Sequence, residues 1–224
     1  MALKDNPEKI GNMAADTLSK FLQRIEHLDP KIKKHDKNVS WDGGFDYYIQ
    51  SPFSKENFRG YIPVQVKGHL VDLMELEKEK ITFPVEIGDV ENFVTSRGVL
   101  FFVVYLAEFE NDIDAKIYYN ALLPYDLHEI LKRYSKQKTR VLEFLPLPRK
   151  MWRPFLEIFS AIRENNPIRL SMGKWIRYFL QLINIRLVCH PKMGFHILMN
   201  VLDSYIKNGR GQYCLRFLRS FLRK

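Results

Sequence analysis

Apolar positions near the start of the chain recur at the helical period. Ile10, Met13, Ala14, Thr17, Phe21, Leu22 and Ile25 share one side of a 3.6-residue turn. Asn6-Pro7-Glu8 supplies an N-cap residue, a proline at the first helical position and an acid in the first turn. The spacing predicts a helix ending near Leu28, before Asp29-Pro30, and then a polar, basic loop over Lys31 to Ser40.

The pattern then changes to strands. Gly44 to Gln50 is rich in aromatics, and Ser51 to Gly60 is a turn region. Tyr61 to Lys67 is a second strand, which Pro63 assigns to an edge or a strand start. Leu70 to Lys80 has no clear period. Ile81 to Val85 is a third strand. Gly88-Asp89 opens a short helix, Val90 to Ser96, closed by Gly98. Val99 to Ala107 is an almost unbroken apolar run, the pattern of a strand buried on both faces.

An acidic turn, Glu108 to Asp114, leads to a strand over Lys116 to Leu122. A helix over Pro124 to Tyr134 follows, with Leu127, Ile130 and Leu131 inward, and Leu145 to Pro148 is a connector. Strands interleaved with helices imply an α/β fold: a mixed central sheet flanked by helices, followed by a C-terminal helical extension. The division expected is 1–150 for the α/β domain and 151–224 for a helical, basic extension that begins with a helix over Met151 to Glu164.

Composition supports a folded core, since 46% of the residues are hydrophobic. The start of the chain lacks the charged stub and apolar block of a signal peptide. No apolar run approaches the roughly 20 residues of a membrane span, so no integral membrane segment is expected. The two cysteines, Cys189 and Cys214, form no metal-binding or disulfide pattern, which points to a reducing, cytoplasmic setting.

The net charge of +9 is unevenly placed. Residues 167–224 hold eleven Lys/Arg and one acid, Asp203, and the first 166 residues balance to −1. Three readings of the basic tail stay open: a surface for nucleic acid or an anionic membrane, a helical extension packed on the core, or a divergent or out-of-frame end. In the front of the chain the basic clusters are local. Lys31, Lys33, Lys34 and Lys37 precede Asp42, and others lie between Lys132 and Arg140. Such clusters neutralise phosphates or are merely solvated.

The chemistry concentrates at Trp41-Asp42-Gly43 and, a little over twenty positions later, at Gln65-Val66-Lys67. In extended backbone Gln65 and Lys67 share one face, and Val64 and Val66 the other. Metal-assisted phosphodiester hydrolysis needs hard oxygen ligands, an aimed water and a cation for the charge that develops at phosphorus. Asp42 can supply a carboxylate, Gln65 an amide oxygen, Val66 a main-chain carbonyl and Lys67 the cation. Gly43 and Gly44 are expected to leave room for the backbone to bend and for phosphate to approach. His69 contacts phosphate or is a solvated histidine. Tyr47, Tyr48, Tyr118 and Tyr119 stack on bases or pack within the sheet. Trp41 is expected to pack and to fix the segment that bears Asp42.

The segments Trp41-Asp42-Gly43 and Gly60-Tyr61-Ile62-Pro63-Val64-Gln65-Val66-Lys67-Gly68 resemble an uncharacterised bacterial family with a WDG motif and a VQVKG strand. That family is similar to the restriction-endonuclease-like PD-(D/E)XK proteins, in the Mrr-like branch where Gln replaces the second acid. The resemblance continues through Gly98 to Val104, Ile117 to Tyr119 and Leu123 to Leu127, and spans roughly residues 8–150. It implies a Mg²⁺-dependent endonuclease, with Mn²⁺ as an alternative ion, acting on DNA in restriction, repair or anti-phage defence. RNA and self-association stay open.

The resemblance implies Asp42, Gln65 and Lys67 as catalytic residues; local charge and position beside the motif make Lys33, Lys34, Lys37 and His69 the candidate nucleic-acid contacts. Many members add an acid from the first helix, for which Glu8 and Asp16 are the candidates; by helical angle neither lies on the apolar face and Asp16 is nearly opposite it, and Asp16 is preferred by its position in the helix. Asp46 competes with Asp42 but fits the motif spacing less well. The competing function is a nuclease fold without chemistry that binds nucleic acid or protein.

Overall fold

The computed structural model describes residues 6–32, 41–110 and 112–147, together with Leu156, Phe159, Ser160 and Arg163. Its organising element is the continuous apolar run. Val99–Phe109 forms strand β5, buried from Val99 through Ala107 because both of its faces are covered. Before it in the chain come helix α1 (Pro7–Gln23) and strands β1 (Leu28–Ile32), β2 (Gly43–Tyr48) and β3 (Phe58–Leu70). A short 3-10 helix (Leu73–Glu77), β4 (Ile81–Glu86) and helix α2 (Ile87–Thr95) then lead into β5. After it come β6 (Asp112–Leu122), helix α3 (Pro124–Tyr134) and β7 (Thr139–Pro146).

Among the described residues the strands form a seven-stranded mixed sheet in the order β1-β2-β3-β5-β6-β7-β4. Strands β1, β2 and β3 run as an antiparallel meander, and β3 pairs with β5 in parallel. The chain between β3 and β5 contains β4, which pairs antiparallel with β7 at the far edge, and then α2. The fold is therefore α/β, with helices on both sheet faces.

Alternation along each strand sorts the core into two layers. Leu100, Phe102, Val104 and Leu106 join Val64, Val66, Phe45 and Tyr47 under the α1 stripe Ala14, Leu18 and Leu22. Phe101, Val103 and Tyr105 turn to the other face and pack with Tyr118, Val90 and Phe93 of α2, and Leu127 and Ile130 of α3. Gly68 is where α1 presses closest on the sheet. A Cβ there would lie 2.7 Å from the Ile10 carbonyl oxygen and 2.8 Å from Ala14 Cβ.

Three elements depart from the pattern expected. Helix α1 stops at Gln23, and Leu28–Ile32 is an edge strand instead of the end of a helix and the start of a loop. Pro30 is tolerated there because an edge strand has one side without a ladder partner. Pro63 lies inside the long β3, one residue before its register with β5 begins at Val64. Its missing N–H therefore falls where that ladder has not yet started. The expected connector at Leu145 belongs to strand β7, whose partners are far away in sequence.

Leu156 and Phe159, placed by sequence in the extension, are buried in the α1-side core, and the compact unit containing the sheet runs Met1–Glu164. The basic tail, residues 165–224, lies outside the described residues. No helix among the described residues is long and apolar enough to cross a membrane.

Candidate functional site

Asp42 stands one residue before β2, and the β2–β3 pairing continues through it. Its backbone N–H donates to the Val64 carbonyl at 2.9 Å. Trp41 packs against the α2/α3-side core, as expected of a residue that fixes this segment. Gly43 has φ +115°, and a Cβ there would sit 2.3 Å from the Lys31 carbonyl oxygen. A Cβ at Gly44 would lie 2.3 Å from the Ile62 carbonyl oxygen and 2.5 Å from the Tyr61 ring. The two glycines therefore admit β1, β3 and Tyr61. The backbone bend expected of them is present at Gly43, and on the side a Cβ would take both glycines meet protein atoms.

The pairing aims the Asp42 carboxylate at β3. Asp42 Oδ2 accepts from Gln65 Nε2 at 2.6 Å and from the Val66 backbone N–H at 2.7 Å. Both bonds are short, as charge-assisted bonds to a carboxylate are. Gln65 is 3% exposed, and its Nε2 also lies 3.5 Å from the Val66 carbonyl oxygen. The strand alternation holds: Val64 and Val66 pack on the α1 side, and Gln65 and the exposed Lys67 belong to the opposite face. Asp42, Gln65 and Val66 thus meet at one point, and Lys67 follows two residues on.

The other candidates have different fates. Asp16 stands where the helical angle puts it. Helix α1 covers the Val64/Val66 face, and Asp16 lies on the side of α1 away from the buried stripe Ala14, Ala15, Leu18 and Leu22. Glu8 is exposed in the first turn. His69 is exposed, and its ring is 5.8 Å from that of Tyr105. Lys33, Lys34 and Lys37 lie outside the described residues. Tyr47, Tyr118 and Tyr119 are buried core residues.

Asp46 is held in a different arrangement. Its carboxylate pairs with Lys31 Nζ, which also lies 3.8 Å from Asp29. The hydrogen bond from Lys31 to Asp46 is the first cause that holds the Lys31 pKa above its ordinary value. The hydroxyls of Tyr48 and Tyr61 are raised by burial first and by the Asp46 charge second. Sequence reasoning missed Lys31 as the partner because it placed residues 31–40 in a loop, whereas pairing of β1 with β2 sets Lys31 opposite Gly44 and so diagonal to Asp46.

The oxygens at the site suit a hard divalent cation. The Asp42 carboxylate, the Gln65 amide oxygen and the Val66 carbonyl are the ligand types Mg²⁺ takes, with water completing the shell. Among the described residues no group of three or more His, Cys, Asp and Glu is placed to hold a metal. The site therefore offers one carboxylate and neutral oxygens. In the present geometry Gln65 turns its NH₂ to Asp42. The opposite amide orientation sets oxygen against oxygen, which is repulsive unless a cation lies between them. No protein-family model, curated protein or solved structure matches the chain.

Proposed function

We propose that this protein is a Mg²⁺-dependent endonuclease with a restriction-endonuclease-like core that hydrolyses DNA phosphodiester bonds. One observation carries the reading: the Asp42 carboxylate meets the Gln65 amide and the Val66 backbone at 2.6 and 2.7 Å, so the aspartate and the Gln-x-Lys strand act at one place. The helix, three-strand meander, crossover and parallel central strand are consistent with that core.

Asp42, Gln65 and the Val66 carbonyl would hold the ion. When bound, the ion neutralises the phosphate and lowers the pKa of a water. Asp42 is fixed for this by its backbone bond to Val64 and by its neighbour Trp41, which packs on the α2/α3-side core. Lys67, exposed on the same face as Gln65, sets a cation where negative charge develops on the phosphate oxygens.

Purified protein incubated with supercoiled and linear DNA tests the reading in Mg²⁺, Mn²⁺ or EDTA. The expected result is metal-dependent nicking that Asp42→Ala abolishes. Lys67→Ala should reduce cleavage about 10²–10³-fold with folding intact. Full cleavage by Lys67→Ala removes that residue from the mechanism. A second reading, a nuclease fold that binds without cutting, is favoured by the two N–H donors already on Asp42 Oδ2, an arrangement complete without an ion. DNA retained with no cleavage under any metal would select it.

A further inference from the structure

We infer that the tip of the β2–β3 hairpin is a stacking platform for an unpaired base of single-stranded nucleic acid, built from Phe53, Tyr48 and Phe58. The inference deepens the nuclease reading and rests on it for nucleic acid as the occupant.

Phe53 and Phe58 are 50% and 42% exposed, an unusual pair of large apolar side chains on one hairpin. The Phe53 ring stacks on Tyr48 with centroids 4.5 Å and planes 18° apart, and Phe58 meets Tyr48 edge-on at 5.7 Å. One face of Phe53 is thus backed by Tyr48 while the ring stays half open to water. The loop that presents it is tied down. Ile49 N–H donates to Asn57 O at 2.8 Å, Phe58 N–H to Ser54 O at 3.0 Å, and Asn57 Nδ2 to Pro52 O at 3.0 Å. A platform ordered before its ligand arrives loses little conformational entropy on binding.

The size and surroundings of the patch choose the occupant. Exposed Ser51, Lys55 and Glu56 surround the two rings with polar groups. Two phenyl rings fall far short of the roughly 800 Å² per partner of a stable protein interface. They match one or two bases, which stack on aromatic rings whatever their identity. Lys55 and Arg59 flank the aromatics in sequence and supply positive charge for the adjoining phosphates.

Phe45 and Tyr47 face the α1-side core and Tyr48 lies beside Asp46 on the other side of β2, while Asp42 meets Gln65, which also faces away from that core, so the platform lies on the side of the sheet that carries the candidate site. Six residue steps separate Tyr48 from Asp42, about 20 Å. That is about six steps of a B-form strand at roughly 3.4 Å each, and fewer in an extended one. A strand whose base is held at Phe53 therefore reaches Asp42 a few nucleotides away.

Fluorescence anisotropy with labelled single-stranded and duplex oligonucleotides of one sequence, in EDTA, reads binding without cleavage. The expected result is tighter binding of the single strand, weakened about ten- to a hundred-fold by Phe53→Ala. Phe53→Trp should retain binding and report the stacked base as quenched indole emission. Thermal melting checks that Phe53→Ala folds, and Phe53→Leu, which keeps apolar bulk without an aromatic face, carries the same test if it does not. The proposal is overturned if the wild-type protein prefers duplex or binds neither strand form. It is also overturned if Phe53→Ala binds the single strand as tightly as wild type, or if it loses only association with protein. Phe53-dependent binding without metal-dependent cleavage would sink the nuclease reading and leave the platform. Metal-dependent cleavage without Phe53-dependent binding would do the reverse.

Discussion

Gln65→Glu replaces the neutral donor to Asp42 with a second carboxyl group, and the consequence follows from the 2.6 Å contact. Two ionised carboxylates about 4 Å apart repel by about 4 kcal/mol at an effective dielectric constant of 20. The lost charge-assisted hydrogen bond adds about 1.5–3 kcal/mol. Protonation limits this penalty, because the acid O–H of the introduced carboxyl restores a donor to Asp42. Holding a carboxyl of ordinary pKa about 4.3 protonated near neutral pH requires about 4 kcal/mol, at 1.36 kcal/mol per pH unit. The destabilisation at neutral pH is therefore about 4 kcal/mol. The introduced group has its folded pKa raised above the unfolded value, so stability is retained below about pH 4 and falls as pH rises towards the folded pKa.

A divalent cation between the two carboxylates reverses the effect, since it binds the folded protein and offsets both charges. Urea denaturation in EDTA and in excess Mg²⁺ or Mn²⁺, across acidic to neutral pH, measures both terms. The variant should be close to wild type in acid, weakest near neutrality in EDTA, and restored by metal. Wild-type stability at neutral pH in EDTA would refute the Asp42–Gln65 contact. A destabilised variant that neither ion rescues would refute the metal site.

Gly68→Ala should lose about 1–3 kcal/mol in urea denaturation, because its Cβ would press on Ile10 and Ala14 of α1; an unchanged midpoint would mean α1 sits farther from β3. Asp46→Asn breaks a pair whose lysine side chain is half exposed, so stability should change by less than about 1 kcal/mol and DNA cleavage should persist. Asp42→Asn should abolish cleavage, and the opposite pattern would exchange the roles of the two aspartates. The Tyr118 hydroxyl, fully buried and donating to the Lys78 carbonyl at 2.9 Å, has its pKa raised by burial to about 12. Its contribution is intact below the unfolded value of about 10 and is lost as pH rises towards 12, up to about 2–3 kcal/mol. Tyr118→Phe should remove that alkaline loss, and an alkaline titration of stability that is identical in the variant would refute the assignment.

The sequence by itself determined the local elements. Helical spacing in α1, the unbroken apolar run of β5 and the proline that opens α3 each encode their element within a few residues. Strand alternation likewise sent Gln65 and Lys67 to the face opposite Val64 and Val66. What the tertiary structure decided was pairing. Strands β1 and β7 carry weak local signals and exist because β2 and β4 supply their hydrogen bonds, and Pro63 is tolerated because the pairing of β3 with β5 begins one residue later. The same holds at the site. Asp42 and Asp46 both lie among the residues around β2, yet register turns one to Gln65 and Val66 and the other to Lys31. Asp16, by contrast, is placed by the helical period alone, which sets it nearly opposite the Ala14–Leu18–Leu22 stripe that α1 buries. Helical and strand periods act over neighbouring residues, whereas register and helix docking are set by contacts between segments far apart in the chain, which no local pattern records.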